Sequence, residues 1–241
     1  MSTEKKENRV KLYGVVIGIV SLAMQHGIYL LANQIAQGIG IPPFLPKIEA
    51  IDGAIPIIPI FILPYVWAYA YWAMAPMAVS KCKLRHFLNY LASYLVACLI
   101  GAVILIFAPT YMDRVAEGLL DTSRTGPLYA LMRFWYSLDG GEMAYNLFPS
   151  FHCINSTLSL LGVWGRPEIP KGVQIYSLVI TVAIYLSTLF VKQHYVLDVI
   201  SGILIAAVAY FVCVKWNWGR LFEKPIEWFG RLTRKAAPKA E

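Results

Sequence analysis

Six apolar runs, each near the length of a bilayer-crossing helix, leave this chain almost no soluble fold to adopt. They cover about residues 12–36, 56–79, 87–108, 147–165, 173–191 and 196–214. A helix needs roughly 20 consecutive apolar residues to cross the hydrocarbon layer. The strands of a membrane barrel would alternate apolar and polar residues, and these runs do not. A backbone facing lipid must satisfy its own hydrogen bonds, so each run reads as a helix. The expected fold is an all-α polytopic membrane protein, a six-transmembrane-helix bundle. It forms a single domain over 1–241 with its core at 12–214. Charged residues make up 15% of the chain, against about 25% in soluble domains. The first run has the basic flank and apolar stretch of a secretory signal, from Leu12 to Met24. No small-residue cleavage site follows and apolar character resumes at Ile28–Leu31, so it reads as a retained span.

The net charge of +7 is a topology signal rather than a nucleic-acid footprint. With the N-terminus inside, 16 Lys and Arg residues fall in cytoplasmic segments. Only five, Lys47, Arg114, Arg124, Arg133 and Lys192, fall outside. Basic residues accumulate on the cytoplasmic side of membrane proteins. The expectation is a multi-pass cell-membrane protein with both termini in the cytoplasm. Residues 1–11 form a basic N-terminal segment. Residues 215–241 form a basic amphipathic tail, whose Trp216, Trp218, Trp228 and Phe229 suit the headgroup layer. The four cysteines, Cys82, Cys98, Cys153 and Cys213, show neither metal-type spacing nor a disulfide framework and read as small hydrophobes.

Ionisable residues at the edges of the runs carry the functional signal. His152 opens the fourth run in Pro149-Ser150-Phe151-His152, and His194 and Asp198 open the sixth. Such groups cost roughly 2.5–3.5 kcal/mol at mid-bilayer, so chemistry is the leading explanation. A His four residues before an Asp is expected to share a helical face with it. The carboxylate then orients the imidazole and stabilises its cation. In the six-span topology His152, His194, Asp198 and Arg114 converge on one extracytoplasmic boundary. Two histidines and a carboxylate suit phosphoryl transfer: a nucleophile, its orienter and an acid for the leaving group. Free N–H groups at the start of the fourth helix make an anion site. Ser150 is either its cap or a phosphate ligand. Arg114 and Lys192 are the candidate phosphate-binding cations. A zinc held by His152, His194 and Asp198 is formally possible, and the metal-free scheme ranks above it. Arg133 reads as a solvated charge on an amphipathic surface helix. His86 falls in a basic loop, and His26, beside Gln25, suits an interhelical hydrogen bond.

These motifs resemble the second and third signature motifs of the type 2 phosphatidic acid phosphatase superfamily. Phe148–His152 and Lys192–Ile200 look like the branch containing inositol phosphoceramide and sphingomyelin synthases and many bacterial phosphatases. Ile55–Tyr65 is similar to that branch's second-span pattern, and the likeness covers roughly residues 50–210. The resemblance implies His194 as the nucleophile forming a phosphohistidine, Asp198 as its orienter, His152 as the general acid, and no metal or other cofactor. Phe151 stands where the superfamily usually has Gly, and Ser187-Thr188 where its third motif opens with Ser-Arg. Arg114 is the counterpart of the first motif's Arg, followed by Val115 instead of Pro. The expected activity is hydrolysis of a lipid phosphomonoester or diphosphate. The alternative is transfer of a phospho-headgroup, phosphoinositol or phosphocholine, to a lipid alcohol. A non-catalytic binder or transport component that keeps the fold is the third reading. Expected partners are a lipid phosphate and membrane lipids, not nucleic acid.

Overall fold

The computed structural model describes residues 12–224. The expected basic N-terminal segment and most of the amphipathic tail therefore lie outside the described residues. The chain forms α1 (Leu12–Ile39), a one-turn α2 (Glu49–Asp52), α3 (Ile62–Val79) led in by a 3-10 turn (Pro59–Phe61), and α4 (Leu84–Phe107). Next come strand β1 (Tyr111–Asp113), α5 (Pro127–Leu138) and strand β2 (Met143–Tyr145). The remainder is α6 (Phe151–Val163), α7 (Lys171–Phe190), α8 (Val196–Trp216) and a final 3-10 turn (Trp218–Phe222).

The protein is an all-α polytopic membrane fold. Five helices, α1, α3 with its lead-in turn, α4, α7 and α8, are long and apolar enough to cross a membrane. The fourth expected span is shorter than the sequence suggests: α6 has 13 residues, about 20 Å of helix. Ser150 caps its start, and Gly165, at φ 71°, ends it in the left-handed conformation that closes many helices. Eleven of its 13 residues are buried. Surrounded by protein, this helix has its backbone shielded without spanning the full layer.

Helices in lipid associate through close approach and interhelical hydrogen bonds, because hydrocarbon is as apolar as their side chains. Both devices are present. Tyr94 Oη donates to Gln25 Oε1 at 2.8 Å, tying α4 to α1, and Trp72 Nε1 donates to Ser156 Oγ at 2.9 Å, tying α3 to α6. A Cβ on Gly202 of α8 would sit 2.6 Å from the Ser150 carbonyl oxygen, so glycine lets α8 lie against the start of α6. The four cysteines are free and buried.

Main-chain and side-chain contacts fix the helix directions. The Ile58 N–H donates to the Phe190 carbonyl, His86 meets the Gly162 carbonyl, and the Gly219 N–H donates to Asn89. The N-termini of α3, α6 and α8 therefore gather at one end of the bundle. A small cap covers that end. Strands β1 and β2 pair antiparallel, with Tyr111 opposite Tyr145, and Phe44 bridges to Thr110 beside them. Between the strands, α5 buries Met132 and Tyr136 and exposes Phe134 and Leu138. This is the amphipathic surface helix that the sequence suggests around Arg133.

Gly202→Ala is expected to cost about 1–3 kcal/mol through overpacking against Ser150. Gly172, which has open space around its missing Cβ, is the control. The melting temperature of purified protein in detergent should fall for the first substitution and not for the second.

Candidate active site

The turn between α7 and α8 carries the first catalytic candidate. The N–H groups of Gln193 and His194 both donate to the Thr188 carbonyl, at 2.9 and 3.1 Å, folding the chain back over the end of α7. Lys192 takes a left-handed conformation at φ 51°, uncommon without glycine. His194 thus stands in the turn, ahead of α8, and does not share a helical face with Asp198 as expected from their spacing. The reason is the carboxylate itself. Asp198 Oδ2 accepts the Tyr195 N–H at 2.8 Å, reaching back as the third residue of a capping box does, so the helix can begin only after the histidine. The pair still forms: His194 Nδ1 lies 3.4 Å from Asp198 Oδ2. Asp198 is fully buried.

The second motif is tied to the first through the backbone. The Ser150 N–H donates to the Asp198 carbonyl at 3.0 Å. Ser150 Oγ accepts the Cys153 N–H at 3.3 Å, so the capping role is the one formed, and the residue is fully buried. Two residues on, the His152 ring stacks on Tyr65, with centroids 4.2 Å apart and planes at 17°. Trp72 and Tyr69 approach it edge-on at 4.9 and 5.7 Å. Its Nε2 has no hydrogen-bond partner among the described residues. The His152 and His194 rings are 6.0 Å apart, centroid to centroid.

Both rings line a cavity of about 580 Å³. Its other walls are mostly aromatic and apolar, including Tyr29, Tyr65, Tyr69, Trp72, Trp135, Leu22 and Leu30; Gln25, His26 and Asn146 add polar groups and Asp139 a carboxylate. Among the described residues no Lys or Arg lines it. Arg114 is fully buried with both terminal nitrogens committed, while its Nε has no partner among the described residues. Nη1 donates to the carbonyls of Tyr136, Asp139 and Gly141, and Nη2 donates to Asp139 Oδ2 and Gln193 Oε1, both at 2.8 Å. The guanidinium braces the cap against the residue next to His194. Lys192 Nζ donates to the Asp52 carbonyl at 2.7 Å, and burial pushes its pKa down. The structure thus brings His152, His194 and Asp198 together, sets Ser150 beneath them as a cap, and holds the charged ends of Arg114 and Lys192 away from the cavity wall. Among the described residues no group of three or more His, Cys, Asp or Glu is arranged to hold a metal ion.

Two residues matter here that sequence reasoning passed over. Asp52 is buried; Oδ1 accepts the Val196 N–H at 2.8 Å and Oδ2 the Ile48 N–H at 2.7 Å. It caps α8 from outside the helix. Its signal was a lone carboxylate between Ala50-Ile51 and Gly53-Ala54. Asp139 faces the cavity while bound to Arg114. Burial raises its carboxyl above the usual range, and the guanidinium opposes that rise. The signal there was Asp139 followed by Gly140 and Gly141, both at positive φ.

A family model for the PAP2 superfamily matches residues 50–212, which include both histidines, Asp198 and the cap. The chain belongs to the PAP2 superfamily. No curated protein matches it. Membership supports a phosphatase-like activity on lipid phosphates in general.

Arg114→Lys keeps the charge but cannot reproduce a fork that meets five acceptors. It is expected to lower stability by about 1.5–3 kcal/mol. A reduced melting temperature, accompanied by loss of activity through the Gln193 contact, would bear this out. An unchanged melting temperature would contradict the bracing role.

Proposed function

We propose that the chain is a lipid-phosphate phosphatase that hydrolyses a lipid phosphomonoester or diphosphate through a phosphohistidine, without a metal. The observation that carries this reading is the pair of imidazoles 6.0 Å apart in one largely aromatic cavity, one of them backed by a buried carboxylate. Two rings at that spacing in one cavity can both reach a single phosphate group. With Nδ1 turned to Asp198, Nε2 is the nitrogen of His194 free to attack phosphorus. Asp198 holds the tautomer and stabilises the cation that develops. At 3.4 Å the pair is longer than a formed hydrogen bond, as such contacts often are before substrate binds. His152 Nε2, unpartnered and held flat against Tyr65, protonates the departing oxygen. It then takes a proton from the water that cleaves the phosphorus–nitrogen bond. The N-terminal ends of α6 and α8, which meet at the site, supply partial positive charge for the phosphate oxygens.

The site belongs, in this reading, to the extracytoplasmic leaflet of the cell membrane, with α6 as the fourth of six crossings and both termini inside. Support comes from the distribution of charge: 16 of the 21 basic residues fall on the side assigned to the cytoplasm. One feature favours transfer over hydrolysis as a second reading. Tyr65, Tyr69 and Trp72 enclose His152, and such a wall restricts water more than it restricts a lipid alcohol. Labelled headgroup phosphate appearing in a lipid acceptor rather than in water decides between them.

His194→Ala should abolish phosphate release from lipid phosphates at unchanged protein levels; normal turnover in that variant would sink the mechanism. Asp198→Asn and His152→Ala should each lower kcat by about 10²–10⁴-fold. The His152→Ala loss should shrink on an aryl phosphate, whose leaving group departs without a proton. An equal loss on both substrates would remove His152 from the acid role.

A further inference from the structure

The family match begins at residue 50, yet α1, which precedes it, builds one wall of the catalytic cavity. Leu22, Gln25, His26, Tyr29 and Leu30 line that wall, at the spacing of a single helical face. Two of the three polar side chains are engaged. Gln25 Oε1 accepts the Tyr94 hydroxyl, and Tyr29 Oη donates to the Tyr145 carbonyl at 3.3 Å. The interhelical bond expected of His26 is made by Gln25 instead. His26 itself has no hydrogen bond or ion pair to the described residues, although it stands midway along an apolar span. An imidazole there is costly unless something polar meets it.

Its position says what that is. Tyr29 lies edge-on to Phe151, the neighbour of His152, at 6.3 Å. His26 is three residues earlier on α1, roughly 4.5 Å further from the capped end. Among the lining residues Leu30 and Leu138 are 48% and 61% exposed and His26 is also exposed. The cavity therefore opens between α1 and α5, towards lipid, with His26 at the opening. A substrate whose phosphate meets His152 and His194 in this cavity extends towards the opening at which His26 stands.

We infer that His26 binds the polar linker of the substrate, and that the enzyme prefers lipid phosphates with hydrogen-bonding groups beside the phosphate. Glycerol esters and sphingoid hydroxyls or amides carry such groups; polyprenyl and plain alkyl phosphates present only hydrocarbon there. This rests on the phosphatase reading and adds its substrate class.

The test compares diacylglycerol phosphate, ceramide phosphate and hexadecyl phosphate with full-length protein in mixed micelles. In His26→Leu, KM for the two linker-bearing lipids should rise about five- to tenfold, the worth of one hydrogen bond. KM for hexadecyl phosphate and kcat for all three should hold. His26→Gln, which keeps a donor and an acceptor, should recover most of the loss. A rise for one linker-bearing lipid alone assigns the contact to that linker. Equal change on all three substrates, or none, overturns the proposal. Should wild-type protein turn over none of them, the phosphatase reading fails separately. The shift in melting temperature on adding each lipid still tests His26: linker-bearing lipids must stabilise wild type more than His26→Leu.

Discussion

One buried carboxylate organises the site. Asp198 takes the Tyr195 N–H on its side chain, stands 3.4 Å from His194, and offers its carbonyl to the Ser150 N–H at the head of α6. The start of α8 therefore locates both imidazoles, one through a side chain and one through the main chain. The turn that carries His194 is clamped from outside as well. Asp52 holds Val196, the Tyr136 hydroxyl donates to the Val191 carbonyl at 2.6 Å, and Arg114 holds Gln193. Each clamp comes from a different part of the chain. Side chains fixed this way would need little rearrangement in the proposed reaction.

The long helices were legible because hydropathy adds up over 20 residues and local detail averages out. The run expected at 56–79 is the Pro59–Val79 segment, and that expected at 196–214 is Val196–Trp216. The length of α6 was not legible in the same way. Its apolar character extends into flanking turns whose conformation depends on the cap and on Gly165. The histidine and aspartate were visible as costly residues in apolar surroundings. Their geometry was not, because a spacing of four fits a helical face and also a turn closing onto the third residue of a helix. The roles of Arg114 and Lys192 depend on partners 79 and 140 residues away. A cation that reads as a phosphate ligand in isolation can equally be a brace, and only packing decides.

The electrostatics of the cavity follow from that brace. The Arg114 charge is turned into the cap, where Asp139 and three carbonyls surround it, and the wall seen by a ligand carries imidazoles, phenols and indoles. Positive character there comes from oriented backbone dipoles.

The brevity of α6 reaches beyond packing. A helix of 13 residues, about 20 Å long, is about 10 Å less than the hydrocarbon thickness of an ordinary bilayer. If its far end sits at the opposite surface, His152 lies beneath the headgroup plane. A lipid then has to draw its anionic group inward, or the surrounding leaflet has to thin, before chemistry can start. Bilayer thickness becomes a variable of the proposed reaction, coupling its turnover to the composition of the surrounding membrane.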